Sequence, residues 1–169
     1  MGLRTILTRG DATLSKHCRP VEKFDDKLAV LLDDLADTMA EADGVGLAAP
    51  QVGILRRAAV VLETNVEEDE DPYIIELINP EIVESEGSQT GAEGCLSVPG
   101  LYGIVERPER VVVRTQDREG ETWEIEGFGL TARAFCHEIA HLDGQLFTEV
   151  ASKLMTPEEL DEYNEQEGN

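Results

Sequence analysis

The sequence predicts an α+β fold with mostly antiparallel sheets around a central helix and further helices at both ends. Three observations carry this. An amphipathic helix comes early, short β-branched segments fill the middle, and two helical segments close the chain. With 169 residues, 41% hydrophobic and 30% charged, the chain is expected to be one domain over residues 1–169, with residues 156–169 as an acidic helix or tail. There is no internal repeat and no linker.

Phe24, Leu28, Leu31, Leu32, Leu35 and Met39 recur at three- and four-residue steps, which predicts an amphipathic helix over 24–42. Asp33, Asp34, Asp37 and Glu41 hold its other face, Asp43-Gly44 ends it, and a glycine-rich stretch follows over 44–53. Residues 58–62 are apolar and β-branched, as in a buried strand. The acidic run 67–71 reads as a solvated loop. Residues 73–83 read as one or two strands broken by Asn79-Pro80, and 104–105 and 111–115 as strands. A polar turn over 116–121 makes 122–125 the return of a hairpin. The second helix is expected from Thr131 to about Leu142, stopped by Asp143-Gly144. A third starts at Thr156, with Pro157 at its first position and Glu159 three residues after the cap.

Charge excludes several partners. With 36 acids against 14 bases the formal charge is −22, which argues against direct binding to nucleic acid or anionic lipid. Solubility explains such a surface better than a specific basic partner does. Cys18, Cys95 and Cys136 give no disulfide framework and favour a reducing compartment. No apolar run approaches the ~18 residues of a membrane span, and the first ten residues lack a signal core. A soluble, cytoplasmic protein is expected. The lack of an Arg-rich, acid-poor leader favours a bacterial over an organellar one.

The most informative segment is His137-Glu138-Ile139-Ala140-His141. On a helix the two histidines stand one turn apart on one face, where both can reach one cation. Glu138 lies ~100° round the axis, free to act on water instead. Two solvated surface histidines are the bland alternative, but Phe135, Ile139 and Leu142 argue for a buried helix. A catalytic site of this kind usually has three protein ligands and a water. One zinc-peptidase pattern would put a third histidine where Phe147 stands. Another would take a downstream acid, and Glu162 and Glu165 fit that spacing loosely. The remaining candidate is Cys95, set between Gly94 and Gly100, since a thiolate binds Zn²⁺ or Fe²⁺ well. Taken alone, Cys95 reads like Cys18 and Cys136, as a small buried apolar residue.

Three blocks occur in order: Gly44-Val45-Gly46-Leu47-Ala48-Ala49-Pro50-Gln51, Glu93-Gly94-Cys95-Leu96-Ser97, and His137-Glu138-x-x-His141. Together they closely resemble the three signature motifs of peptide deformylase, and the chain from Ile6-Leu7 to about Phe147 is similar in layout. The resemblance implies a divalent metal held by Cys95, His137 and His141, with water in the fourth position. The metal expected in the cell is Fe²⁺, with Zn²⁺ or another divalent ion able to take the site. It implies Glu138 as general acid and base, and the Gln51 side-chain amide and Leu96 backbone N–H as stabilisers of the oxyanion. Val45 and Gly46 match positions along the substrate backbone. The implied reaction removes the formyl group from the formyl-methionine of new bacterial polypeptides and releases formate.

The chemistry agrees. A formamide is a poor electrophile and neutral water a poor nucleophile, and a Lewis acid with a carboxylate base answers both. A zinc endopeptidase built on His137, Glu138 and His141 is the alternative, and a non-catalytic formyl-peptide binder a third reading. Arg133 and Ala134, one turn before His137, are placed to line the pocket, where Ala134 would leave room for a methionine side chain or merely pack. Members of the family often carry Gln and Asp where Cys136 and Ala140 stand; neither position is a ligand or the base, so only the support behind the ligands is expected to differ. Glu158, Glu159, Asp161, Glu162, Glu165 and Glu167, with no Lys or Arg among them, predict a tail repelled by rRNA, unlike the basic helix that docks some members on the ribosome.

Overall fold

Helix α1, Asp26–Glu41, begins where a cap is available: the Asp25 carboxylate accepts the Leu28 N–H at 3.2 Å. It buries Leu28, Leu31, Leu32, Leu35 and Met39, the stripe read from the sequence, and packs on the edge of a sheet with Leu47, Ala58 and Val60. Each fully buried leucine contributes about 1.5–3 kcal/mol relative to exposure. The structure, a computed structural model, describes residues 2–167. Met1, the last two residues of the expected tail and the side chain of Glu167 lie outside the described part.

The strands are β1 (Gly46–Ala48), β2 (Ala58–Glu63), β3 (Tyr73–Glu86), β4 (Gln89–Cys95), β5 (Val98–Arg107), β6 (Arg110–Gln116), β7 (Thr122–Phe128) and β8 (Lys153–Met155). They form two antiparallel sheets, ordered β1-β2-β3-β6-β7 and β4-β5-β8. Helices α2 (Gly129–Leu142) and α3 (Pro157–Glu167) complete the α+β fold. The box at α3 is formed: Thr156 Oγ1 accepts the Glu159 N–H at 3.2 Å, and Glu159 accepts the Thr156 N–H at 3.0 Å.

Three segments differ from the sequence reading. Asn79-Pro80 does not break β3; it shifts its register between Ile78 and Glu81. Asn79 takes φ 50°, and its side chain accepts the Val21 N–H at 2.8 Å and donates to Val21 O and Gln116 Oε1. Pro80, with no N–H to give, falls at this bulge. The glycine-rich stretch holds β1 and a 3-10 helix, Ala49–Val52. Strand β4, with Gly91 and Gly94, has no strand-like composition; pairing along β5 makes it one.

Helix α2 packs its apolar side on the larger sheet. Ala132, Phe135, Ile139 and Leu142 share a core with Ala48, Ala59, Val61, Val111 and Val113. Among the described residues, no helix is long and apolar enough to cross a membrane.

Candidate metal centre and cleft

Residues from three distant segments meet at the inner face of α2. His137 and His141, one turn apart, bring their Nε2 atoms to 3.2 Å. Cys95 ends β4, just before the two-residue turn Leu96-Ser97, and its Sγ lies 3.3 Å from His141 Nε2. The three donor atoms lie within 4.8 Å of one another. Among the described residues they are the group of three or more side chains that could hold a metal, and Glu162 and Glu165 do not join it.

The donor set fits a divalent cation. His137 Nδ1 pairs with Glu93 Oε1 at 2.9 Å, which leaves its Nε2 to face the buried Nε2 of His141. Without an ion a proton on His137 supplies the positive charge that this donor set attracts, and a divalent cation would take that proton's place. Burial alone would lower the His137 pKa, yet bonds to Cys95 and Glu93 hold it well above the ordinary value. His141 is pushed well below it, by burial and by the charge on His137.

Glu138 is buried between α2 and β1, and its Oε1 has no partner. Burial pushes its pKa up to about 7, against the pull of His137, with Glu93 adding to the rise. Gly46 makes this placement possible, because a Cβ there would overlap Glu138 Oε2. Gln51, in the 3-10 helix, is 1% exposed. Its Oε1 accepts the Ala48 N–H at 2.9 Å, while Nε2 donates to Ser97 Oγ at 3.0 Å and faces Cys95 Sγ at 3.6 Å. Val45, Gly46, Cys95, Leu96, His137 and Glu138 line one cleft of about 510 Å³. Arg133 and Ala134 border it too, as helix spacing predicts.

Glu93 is the residue for which the sequence reading found no role. Its carboxylate accepts from Arg107 Nε at 2.8 Å and Nη2 at 2.9 Å, from Arg133 Nη1 at 2.7 Å and from His137 at 2.9 Å. Burial would raise its pKa, but Arg107 and His137 hold it well below the usual carboxylate range. Its place two residues before Cys95 is the only local signal; its partners are far along the chain. Cys18 and Cys136 are core residues outside the metal group, and burial raises both thiol pKa values. Phe147, at the position of the other pattern's third histidine, stacks near His137 with ring centroids 6.0 Å apart.

Fold and site together define an α+β protein whose Cys/His/His group can hold a metal. Residues 3–156 match the family model for polypeptide deformylase. The chain is 52% identical to a peptide deformylase of Caldicellulosiruptor bescii over 96% of its own length and 93% of that protein. It is 50% identical to one of Lachnoclostridium phytofermentans over 99% of each. The solved structure of peptide deformylase from Thermotoga maritima is similar at a TM-score of 0.81 and 39% identity, over 90% of this chain and 100% of that one. The actinonin-bound class I type b peptide deformylase from Acinetobacter baumannii matches at 0.80 and 36%, over 90% and 100%. The chain belongs to the polypeptide deformylase family, hydrolases that remove the N-formyl group from nascent peptides. The endopeptidase reading is not favoured: its downstream acid is absent from the group, and the family is a different one.

Proposed function

We propose that this chain deformylates N-formylmethionyl peptides as they leave the ribosome, with Cys95, His137 and His141 holding one divalent metal. The convergence of one Sγ and two Nε2 atoms within 4.8 Å carries the reading. Fe²⁺ is the metal expected in the cell, and Zn²⁺ or another divalent ion suits the same donors. The chemistry such an ion supplies is Lewis acidity toward the formyl carbonyl and toward water.

The protein's own groups do the rest. Val45 and Gly46, at the open side of the edge strand β1, hold the extended peptide backbone. Glu138 takes a proton from the attacking water and returns it to the methionine amine, and its burial favours the protonated form that the return step needs. The Gln51 amide and the Leu96 N–H meet the charge that grows on the formyl oxygen; losing one such donor costs about 10²–10³ in rate. Ala134 leaves space beside the metal for the methionine side chain.

The same reading treats residues 1–169 as one domain with α2 as the central helix of both sheets, supported by its packing on β1, β2, β6 and β7 and its contact with β5. It gives a cytoplasmic protein that meets its substrate by diffusion. The described acids of α3 are solvent-facing and would be repelled by rRNA, so ribosome co-sedimentation is expected to be unchanged when residues 156–169 are removed.

The test is formate release from formyl-Met-Ala by anaerobically purified protein whose metal content is measured on the same sample. Release in proportion to bound metal is expected. Full metal occupancy without formate would overturn the proposal.

A further inference from the structure

We infer that Arg133 is a positioning residue that fastens the strand bearing Cys95 to the helix bearing His137 and His141, and thereby sets how tightly the three side chains grip a metal. The inference deepens the function proposed above and rests on it.

Helix α2 is anchored by apolar packing to the larger sheet, whereas it makes few contacts with the smaller one. Yet the smaller sheet supplies the thiol, from the end of β4. Polar bonds bridge this divide. Arg133 Nη1 donates to Glu93 Oε2 at 2.7 Å and to the Val105 carbonyl at 3.1 Å, with the Gly91 carbonyl at 3.5 Å. Its Nη2 faces Gln89 Oε1 at 3.5 Å. One side chain of α2 therefore reaches both β4 and β5, one helical turn before the first metal-facing histidine.

The charge count argues that this arginine is more than an ion-pair partner. Arg107 already pairs with Glu93 in bidentate fashion. Arg133 adds a second guanidinium to the same carboxylate, with its side chain only 8% exposed. A second buried cation costs desolvation that a single carboxylate does not offset. An apolar side chain would suit the buried turn of α2 better on stability grounds alone. What Arg133 alone supplies is a directional link from the histidine helix to the facing carbonyls of Val105 on β5 and of Gly91 on β4, four residues before Cys95 on the strand that ends in it. Gly91 leaves it the room, since a Cβ there would stand 3.3 Å from Arg133 Nη2.

The test uses full-length protein, the Arg133→Met, Arg133→Lys and Gly91→Ala variants, and Zn²⁺ and Co²⁺ as probes. Zinc affinity is measured by competition with a chromophoric chelator, and the thiolate-to-cobalt absorption band reports the cysteine. Arg133→Met is expected to bind zinc about 10–100-fold more weakly and to alter the cobalt band, with kcat falling more than KM changes. Arg133→Lys should recover part of the affinity. Gly91→Ala keeps every donor but crowds the guanidinium, so it should weaken zinc binding in the same direction by less. Unchanged zinc affinity and an unchanged cobalt band in both Arg133→Met and Gly91→Ala would overturn the inference, even if thermal stability fell. If Arg133→Met does not fold, Gly91→Ala decides alone. A parent protein that itself lacks the thiolate–cobalt band would sink the metal site proposed above, and this inference with it; a parent with the band and indifferent variants sinks the inference only.

Discussion

Glu93 Oε1 lies 2.9 Å from Nδ1 of His137, and that bond decides which imidazole nitrogen turns toward Cys95. With Nδ1 engaged by a carboxylate, the Nε2 lone pair is left for a cation. Four donors fill the acceptor sites of Glu93, so the ring is held as well as oriented.

Replacing the Glu93 carboxylate by an amide should therefore be felt at the metal before it is felt in the fold. In Glu93→Gln the amide NH₂ is set against arginine and histidine donors, and one side of the network loses its acceptor. Zinc affinity is expected to fall about 10–100-fold, read by chelator competition. Affinity equal to the parent would show that the bond does not support the site.

Glu138 is assigned the proton transfers and no metal bond. In Glu138→Gln the metal content of purified protein should match the parent, while kcat for formyl-Met-Ala drops about 10²–10⁴-fold. Elemental analysis and a formate assay on one sample check both halves. Loss of metal in this variant would move Glu138 into the ligand set.

Most of the fold and the two clustered histidines are legible in the sequence, for local reasons. The stripe Leu28, Leu31, Leu32, Leu35 and the Thr156/Glu159 box are written within a few residues of one another, and both form as read. His137 and His141 are legible from their one-turn spacing, whereas Cys95 joins them through motif resemblance, because 41 residues lie between it and His137 and only folding unites them. Strand β4 escaped notice because its glycines and polar residues carry no strand propensity, and the ladder with β5 overrides that. Glu93 escaped for a related reason: its meaning lies in Arg107, Arg133 and His137, none of them adjacent in sequence.

Cys18 gives a pH signature away from the site. Burial pushes its thiol from the ordinary 9.0 up to about 11, with Arg57 opposing and Asp143 adding to the shift. The unfolded chain thus loses this proton at lower pH than the folded one. Its contribution to stability is fully present below pH 9.0 and is lost as pH rises to about 11. Denaturant unfolding across that window should show the decline, and Cys18→Ala should flatten it. A parent and variant with parallel profiles would contradict the account.

Gly144 ends α2 with φ 79°, and a Cβ there would lie 2.6 Å from the Ser15 carbonyl oxygen. The neighbour is backbone and cannot swing aside. Gly144→Ala is expected to lose about 1–3 kcal/mol or more of stability, measured by urea unfolding. A change within experimental error would mean that the amino-terminal segment around Ser15 yields easily.

The central claim is that a thiolate and two imidazoles share one ion, and X-ray absorption at the zinc edge of zinc-loaded protein addresses it most directly. The account predicts one sulfur and two imidazole nitrogens around zinc, with the sulfur contribution vanishing in Cys95→Ala. A zinc environment of nitrogen and oxygen alone in the parent protein would contradict it.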